Sequence, residues 1–495
     1  PVWKSDNPDF PRIDVYGSLD ELEKDFGVRP SNLHRPFIDD LTRPNPNDPS
    51  GSSTMRRVPE VLDCWFESGS MPFAQVHYPF DNKDWFEEHF PADFIVEYIN
   101  QTRGWFYTLH ILAGALFDKP AFRNVICHGI LLAEDGTKLS KKLRNYTEPT
   151  EIFEAQGSDA LRWYFMSSSI VRGGDSRISD QSIDEVVRQI INPIWSAYSF
   201  FTLYANIDEY TAKPITSPTN TLDRYILAKT NELIGNVTSS MDSYDLPGAT
   251  AEIKGFIDAL NNWYIRRSRD RFWSPSKPKD DSDKQDAYDT LFTVLENLCR
   301  LSAPFLPMVT EEIFKGLTGQ SSVHESDWPS LTEFINDTDL VESMDLIRDI
   351  VSTTLRLRED ASLRVRLPLQ KITIAGIDSD ALSDFELIIK DEVNVKAIVF
   401  TSDLEAHGTF VLKPDGKTLG PRLGNDVQSV FQSAKNGDWE ILEGERILIN
   451  NYVLEPSEFD LSLAANEGTM AASLPGNKAI VVLDTEITNE LVNEG

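Results

Sequence analysis

The most informative segment of the sequence is Lys138-Leu139-Ser140-Lys141-Lys142, a cationic loop in an acidic chain. It follows an acidic turn, Glu134 to Thr137, in which a glycine can take a positive φ. Before the turn lies an apolar run from Val125 to Leu132, long enough for a buried strand. Because lysine acts as a mobile point charge, this order favours a loop that closes over a polyphosphate. A solvated surface loop is the alternative interpretation of the five residues alone.

Two segments upstream of this loop carry distinctive residues. Residues 63–72 read DCWFESGSMP, and residues 97–106 read EYINQTRGWF. The first resembles the Trp-Phe-acid-Ser-Gly-Ser element of isoleucyl-tRNA synthetases, and the second is similar to their adenylate-binding strand and helix start. The cationic loop resembles the Lys-Met-Ser-Lys-Ser loop of class I aminoacyl-tRNA synthetases, with Leu139 in place of Met and Lys142 in place of the last Ser. With three matches in one order, the chain resembles the isoleucyl-tRNA synthetase family.

The resemblance implies roles for the residues around the loop. Lys138 and Lys141 are expected to be catalytic, because the matching lysines contact the phosphates of ATP and stabilise the charge that builds on pyrophosphate. Ser140 is expected to lie in the same nucleotide site. His128, within the predicted strand, has two interpretations that stay open, a contact with the nucleotide or a structural hydrogen bond. ATP is the expected cofactor, with Mg²⁺ accompanying it and no zinc site in this chain.

The resemblance also implies an aminoacyl-adenylate site at Glu97, Tyr98, Asn100 and Gln101. A carboxylate near the end of a strand can accept a hydrogen bond from a ribose hydroxyl or an amine, and the two amides can both donate and accept. Many relatives have Gly at the position of Tyr98 and Asp at that of Asn100. Tyr98 would then contribute its backbone, and Asn100 would bind without a charge.

A second informative segment is residues 262–273, where four arginines alternate with aromatic residues on one predicted helix. Arginine binds phosphate with two parallel hydrogen bonds and stacks on bases, so Arg266, Arg267, Arg269 and Arg271 are candidate tRNA contacts. The segment resembles part of the anticodon-binding bundle of isoleucyl and valyl synthetases. The alternative, that these arginines pair with nearby carboxylates and pack the bundle, stays open.

The composition limits the class of protein. A length of 495 residues predicts several domains, and 40% hydrophobic with 25% charged residues is typical of globular proteins. No apolar run approaches the length of a membrane span, and three cysteines without a Cys-x-x-Cys pair indicate neither disulfides nor a zinc site. These features predict a cytoplasmic protein. The net charge of −32 opposes nonspecific binding of nucleic acid, but a local basic surface can still bind RNA.

Periodicity and the resemblance together divide the chain. Residues 1–57 are rich in turn formers and are expected to be the exit of an editing insertion plus a connector. Residues 58–150 show β-α-β order, which predicts a parallel sheet, here the second half of a Rossmann-like catalytic domain. Helical periodicity predicts a helical connector at 151–220 and a helical bundle at 221–369, and period-two strands predict a small α+β domain at 370–495. The resemblance implies that the bundle is the anticodon-binding domain. The predicted fold class is multidomain α/β plus α.

Particular elements are predicted within these parts. A strand at 94–98, a helix from Gln101 to Phe117 and a strand from Val125 to Leu132 form the β-α-β unit. Residues 151–210 are predicted to be helical throughout. In the C-terminal region the alternation predicts strands at 371–375, 396–400, 409–412 and 479–483.

The resemblance implies a function, the ATP-dependent activation of L-isoleucine and its transfer to tRNA(Ile) by a monomer without a membrane partner. A valyl enzyme and a noncatalytic tRNA-binding paralogue are the alternatives. No His-Ile-Gly-His-like motif is present, and the chain begins at Pro1. By resemblance we expect the C-terminal part of a longer synthetase, lacking the N-terminal catalytic half and most of the editing domain and inactive alone.

Overall fold

The computed structural model describes nearly the whole chain and divides it into two compact units. Unit 1 comprises Pro1–Asn145 and Ser168–Ile178, and unit 2 comprises Tyr146–Ser167 and Ser179–Gly495. Among the helices described, none combines the length and the hydropathy needed to traverse a lipid bilayer. The described residues are 1–61, 63–331, 335–378, 382–444, 446–466 and 468–494.

Unit 1 opens with a four-stranded antiparallel sheet in the order β2-β1-β4-β3. Helix α1 (Leu19–Phe26) follows β2 and begins after Ser18, whose side chain accepts a hydrogen bond from the Glu21 N–H. The core of this part is aromatic and aliphatic and consists of Trp3, Tyr16, Leu22, Ile38 and Met55. The strands are β1 (Val2–Ser5), β2 (Ile13–Val15), β3 (Arg43–Pro44) and β4 (Thr54–Arg57).

The predicted β-α-β unit is confirmed in the second part of unit 1. Strands β5 (Ala92–Tyr98) and β6 (Phe122–His128) pair in parallel, and helix α5 (Trp105–Phe117) connects them. Buried side chains from the elements before and after β5 form a core of Phe86, Phe90, Leu109, Ala113 and Ala121. The preceding helices are α2 (Cys64–Gly69), α3 (Met71–Ala74) and α4 (Lys83–His89).

The prediction of one continuous strand from Val125 to Leu132 is wrong. Strand β6 ends at His128, and β7 (Leu131–Leu132) pairs in parallel with β8 (Ser176–Arg177). The pairing partner of the chain changes from β5 to β8 near Gly129, whose N–H donates to the Ile170 carbonyl at 2.9 Å. A side chain at Gly129 has no room, because a Cβ there would lie 2.0 Å from the Gly174 carbonyl oxygen.

The prediction that residues 151–210 are helical throughout is also wrong, because part of this range pairs with β7. Residues 168–178 leave the helices and return to unit 1, where they contribute β8. Their local pattern did not indicate this return, because the contacts that define it lie more than thirty residues away in the chain. The predicted boundary near residue 150 misses this returning segment.

Unit 2 is built mainly of helices, as the 3.6-residue periodicity predicted. Two π-helical segments, Val187–Ile191 and Ala259–Ile265, each connect two consecutive helices without a break in the helical backbone. The central helix α13 (Ser282–Ser302) is buried along most of its length. The helices are α6 (Pro149–Ala155), α7 (Ser158–Ser167), α8 (Asp180–Val186), α9 (Asn192–Asp208), α10 (Thr221–Asp242), α11 (Leu246–Asp258), α12 (Arg266–Trp273), α13 (Ser282–Ser302), α14 (Pro307–Thr318) and α15 (Thr338–Asp360).

The C-terminal part of unit 2 is an α+β region in which the four predicted strands are present. The largest sheet has the order β10-β9-β17-β16, and smaller sheets pair β11 with β15 and join β12, β13 and β14. The strands are β9 (Leu369–Ala375), β10 (Val395–Thr401), β11 (Gly408–Pro414), β12 (Trp439–Ile441), β13 (Ile447–Ile449), β14 (Tyr452–Leu454), β15 (Phe459–Ala465), β16 (Ala471–Ser473) and β17 (Ile480–Leu483). The helices are α16 (Glu386–Val393), α17 (Gly416–Leu423), α18 (Val427–Asn436) and α19 (Asn489–Glu494).

A buried arginine joins the bundle to this region. Arg358, near the end of α15, is 1% exposed. Its guanidinium donates to the carbonyl oxygens of Leu367 at 3.0 Å and Asn394 at 2.8 Å, just before β9 and β10. These bonds from the two terminal nitrogens hold the end of α15 against the start of the sheet.

Candidate functional site

The carboxyl ends of β5 and β6 bring two predicted site residues together. Tyr98 and His128 are register partners in the parallel ladder, and their ring centroids lie 5.9 Å apart. The His128 Nδ1 atom lies 2.9 Å from the Gly129 carbonyl oxygen. A carbonyl only accepts, so Nδ1 is the donor in this contact. The structural hydrogen bond predicted as one alternative for His128 is therefore present, and a second ring nitrogen remains for another partner.

Glu97 and Gln101 both bind the backbone near the end of β5. The Glu97 carboxylate accepts a hydrogen bond from the Tyr98 N–H at 3.0 Å. A 3₁₀ turn, Ile99–Arg103, follows and carries the exposed Asn100. The Gln101 Oε1 atom accepts from the Trp105 N–H at 2.9 Å, so its carbonyl group satisfies a free donor of α5. The amide nitrogen of Gln101 is the part of this side chain that could still donate to a ligand.

The predicted helix from Gln101 to Phe117 begins four residues late, at Trp105. Gly104 separates the 3₁₀ turn from α5 with φ −139° and ψ −114°. A Cβ at Gly104 would lie 2.7 Å from the Gln101 Oε1 atom, so a side chain there would displace this cap. The 3₁₀ turn that carries Asn100 and Gln101 therefore separates the end of β5 from the first turn of α5.

Helix α2, which carries the Trp-Phe-Glu-Ser-Gly sequence, packs on α5. The indole N–H of Trp105 donates to the Ser68 carbonyl oxygen at 3.1 Å. At Gly69 the helices approach so closely that a Cβ would lie 3.0 Å from Thr108 and Leu112. These contacts give Trp105 a packing role, whereas the Trp65 side chain is 42% exposed. The motif therefore supports the helix that begins at the candidate site.

The lysine loop leaves β7 through a tight turn. The Ala133 N–H donates to the Thr137 carbonyl at 2.8 Å, and Gly136 takes φ +81° within the turn. The Asp135 carboxylate accepts hydrogen bonds from the Thr137 hydroxyl at 2.7 Å and the Thr137 N–H at 2.9 Å. These two bonds lower the pKa of Asp135, so the turn keeps a negative charge just before the lysines.

Asn145 closes the loop and was missed by the sequence reasoning. Its Oδ1 atom accepts from the Ser140 N–H at 2.9 Å. Its Nδ2 atom donates to the Thr137 hydroxyl at 2.9 Å and the Lys138 carbonyl at 3.2 Å. One amide thus fixes both sides of the loop by its backbone, and Lys141 stays exposed. Within the part of the chain that is described, the Lys138 and Lys141 ammonium groups have no hydrogen-bond or ion-pair partner.

We expect Asn145→Ala to release the loop. Removal of three hydrogen bonds should make amide exchange at Ser140 at least tenfold faster, since each contributes about 0.5–1.5 kcal/mol. Asn145→Asp is the matched variant, because it keeps the acceptor for the Ser140 N–H but loses both donors. It should produce a smaller increase in the exchange rate. Equal exchange in the wild type and Asn145→Ala would show that the amide does not hold the loop.

The four candidate arginines do not form one stripe. Arg266 and Arg269 are exposed and lie three residues apart, on neighbouring positions of one face of α12. Arg267 and Arg271 are less exposed and lie four residues apart, on another face. The four candidates thus fall into two pairs with different surroundings.

Arg266 and Arg267 both bind Glu392 on α16, whose side chain is 7% exposed. Arg267 also lies over the ring of Trp263, with its guanidinium carbon 5.5 Å from the ring centroid. These contacts give Arg267 the packing role that was one of the two interpretations. Arg269 has no ion-pair or hydrogen-bond partner among the described residues.

Arg271 is part of the interior of the bundle. It binds both carboxylate oxygens of Asp223, at 2.8 and 2.7 Å, and the Asp283 carboxylate at 2.8 Å. The Tyr264 hydroxyl donates to the same Asp223 at 2.7 Å. Burial lowers the pKa of Arg271, but its hydrogen bonds to Asp223 and Asp283 and the charge of Asp223 together raise it by more, so the guanidinium stays charged. The surroundings of Arg271 therefore favour the packing role, which was one of its two interpretations.

Comparison with known proteins agrees with this architecture. The family model "tRNA synthetases class I (I, L, M and V)" matches residues 1–179, and "Anticodon-binding domain of tRNA ligase" matches residues 223–373. The first match ends just after β8, and the second begins in α10. The chain belongs to the class I aminoacyl-tRNA synthetases, with a Rossmann-like part and an anticodon-binding domain.

Within that class, the chain is similar to isoleucine–tRNA ligases over its whole length. The Nocardia farcinica relative is 53% identical over 498 residues, and the match covers 100% of this chain and 46% of that protein. The Mycobacterium tuberculosis relative is 52% identical over 496 residues, with the same coverage. The chain therefore spans about half the length of these curated relatives. A LeuRS–tRNA–LeuAMS complex from Agrobacterium radiobacter K84 is similar over 59% of this chain and 35% of that chain, with a TM-score of 0.47 and 20% identity.

Proposed function

We propose that this chain takes part in the ATP-dependent activation of L-isoleucine and its transfer to tRNA(Ile). The observation that carries the proposal is the exposed lysine loop, held by Asn145 after the parallel strands β5 and β6. The 53% identity to an isoleucine–tRNA ligase favours isoleucine over valine as the substrate. The lysine loop argues against the noncatalytic paralogue. A monomeric state and a cytoplasmic location stay predictions of this proposal.

In the proposed reaction, the isoleucine carboxylate attacks the α-phosphorus of ATP and pyrophosphate leaves. Lys141 and Lys138 would stabilise the negative charge that builds on the leaving pyrophosphate, with no covalent bond to the enzyme. Ser140 lies between them and donates its backbone N–H to Asn145, so the loop holds its shape while the two ammonium groups move. This separation of a fixed backbone from mobile charges suits a loop that closes on phosphates.

The strand ends would bind the rest of the adenylate. Tyr98 and His128 stand side by side at the carboxyl edge of the parallel pair, where ligands bind in such sheets. Asn100 and the amide nitrogen of Gln101 would donate to ribose or carbonyl oxygens, and Glu97 would accept from a hydroxyl or an amine. Mg²⁺ would arrive with the phosphates, because small hard cations are commonly bound through phosphate oxygens and water. The described residues include no cluster of three or more His, Cys, Asp or Glu that could hold a metal ion.

Amino-acid-dependent exchange between ATP and pyrophosphate tests the proposal. The chain should be assayed alone and completed with the part of the Nocardia farcinica relative that it does not match. We expect isoleucine to support exchange in the completed protein far better than valine. A pocket that accepts isoleucine distinguishes one missing methylene by about 1–3 kcal/mol, and the isoleucyl enzyme is the standard example of this limit. Faster exchange with valine would favour the valyl alternative.

Binding of tRNA should depend on the exposed face of α12. In Arg266→Gln/Arg269→Gln, the log–log slope of affinity against salt should fall by roughly 0.7–0.9 for each phosphate that the variant no longer neutralises. Lys417→Gln, which removes an exposed cation elsewhere in unit 2, is the matched control. An unchanged slope in the double variant, with an intact fold by circular dichroism, would show that neither arginine contacts a tRNA phosphate.

A further inference from the structure

The two-stranded sheet β11–β15 has one edge that the fold leaves open. The Asp415 N–H donates to the Glu458 carbonyl at 2.8 Å, and the Asn466 N–H donates to the His407 carbonyl at 3.0 Å. Both pairs continue the antiparallel register of the two strands, in which Val411 lies opposite Ser462. Hydrogen-bonded pairs alternate in an antiparallel ladder, so residues 409, 411 and 413 face β15. The backbone groups of Phe410 and Leu412 therefore point away from the sheet.

The opposite edge of the same sheet is closed by a side chain. Leu461 and Leu463 on β15 are the register partners of Leu412 and Phe410. The Leu463 N–H donates to the Asn477 Oδ1 atom at 2.8 Å, and the Asn477 Nδ2 atom donates to the Leu461 carbonyl at 2.6 Å. In the described part of the chain, no hydrogen bond reaches the backbone N–H or C=O groups of Phe410 and Leu412. An unpaired row of this kind is the template to which another strand adds.

A groove of about 800 Å³ runs along this open edge. One wall is β11, where the consecutive residues 409–414 all line the groove, and the other wall is α18. From α18, Gln428, Phe431 and Gln432 face the groove. Phe431 is 43% exposed and Val411 is 38% exposed, so apolar surface flanks the free backbone groups. A strand edge beside a helix is the geometry in which proteins bind extended peptides by strand addition.

The charge of the groove indicates which kind of extended segment it binds. Lys413 and Lys435 line it, and the described lining residues include no carboxylate. This contrasts with the chain as a whole, whose net charge is −32. Cationic side chains in a groove of an acidic protein favour a segment that carries negative charge, because complementary charges steer association and exclude other partners.

We propose that the groove between β11 and α18 binds an extended acidic segment of another protein, which adds to β11 as a third strand. Its backbone would pair with the N–H and C=O groups of Phe410, which is partly exposed, whereas Leu412 is only 4% exposed. Side chains of a strand alternate between its two faces, so the apolar ones would contact Phe431 on the side of α18, and the acidic ones would reach Lys413 on the opposite face of β11. This inference is independent of the proposed catalytic function, because it rests on another region of the fold.

The test uses the 495-residue chain and a fluorescein-labelled heptapeptide in which valine alternates with glutamate, with fluorescence anisotropy as the readout. Phe410→Pro removes one outward N–H without removing a ladder bond, and Phe410→Ala removes the side chain but keeps the N–H. We expect Phe410→Pro to bind roughly three- to tenfold more weakly than Phe410→Ala, the factor for one backbone hydrogen bond. Lys413→Glu should weaken binding, and Lys417→Glu, outside the groove lining, should not. Circular dichroism confirms that each variant is folded.

Several results would overturn the proposal. The absence of binding at millimolar peptide would do so, as would equal affinities of Phe410→Pro and Phe410→Ala. Equal binding of a peptide in which valine alternates with lysine would refute the acidic partner. Displacement of the peptide by a single-stranded RNA oligonucleotide would assign the groove to nucleic acid. A dimer of the chain that dissociates in Phe410→Pro would assign it to a second copy.

Discussion

Arg271→Ala is expected to destabilise the helical bundle by about 3–5 kcal/mol, the usual effect of removing one partner of a buried ion pair. The Asp223 side chain is fully buried and would lose both guanidinium hydrogen bonds. It would keep only the Tyr264 hydroxyl as a donor. An uncompensated carboxylate would then remain between α10 and α13. Amide hydrogen exchange across these two helices measures the change in the free energy of opening.

Two matched variants distinguish the effect of breaking this buried ion pair from the general effect of removing a charge. Arg269→Ala removes an exposed arginine from the same helix and should change stability by less than about 0.5 kcal/mol. Asp223→Leu combined with Arg271→Met replaces both charges and should recover much of the loss, because buried pairs can be exchanged for apolar residues at little cost. If Arg271→Ala were as stable as Arg269→Ala, the buried pair would not brace the bundle.

The second large effect is expected at the lysine loop. In the completed protein, Lys141→Ala should slow isoleucine-dependent exchange by roughly tenfold or more, since one charge-assisted contact is worth about 1.5–3 kcal/mol. Isoleucine binding should hardly change, because the proposed contact is with the phosphates. Lys142→Ala is the control, since Lys142 occupies the position at which the family motif has Ser. Wild-type exchange in Lys141→Ala would refute the proposed role of this lysine.

Local pattern predicted much of the fold. The parallel strands β5 and β6, the helix between them and the strands of the C-terminal region follow from periodicity of 2 and 3.6 residues. The placement of Tyr98 beside His128 does not follow from the pattern, because the predicted strand continued to Leu132, whereas β6 ends at His128. The features that were predicted depend on residues that are close in sequence or on a general rule of sheet topology.

Contacts between distant residues could not be predicted in this way. The return of residues 168–178 to unit 1 depends on the close approach of Gly129 to Gly174. The different surroundings of the arginines on α12 depend on their ion pairs with Glu392 and Asp223. Their partners lie tens of residues away, and no local pattern identifies them. Asn145 is a different case, since it is near the loop, but an amide side chain alone does not indicate which backbone groups it binds.

Chemical footprinting of lysines tests the proposed phosphate contact most directly. The completed protein is acetylated briefly with and without ATP and isoleucine, and the modification of each lysine is measured by mass spectrometry. We predict that Lys141 and Lys138 are protected when both substrates are present, whereas Lys142 and Lys119 react at unchanged rates. Equal acetylation of Lys141 in the presence and absence of the substrates, under conditions that support exchange, would contradict the assignment of this loop to ATP.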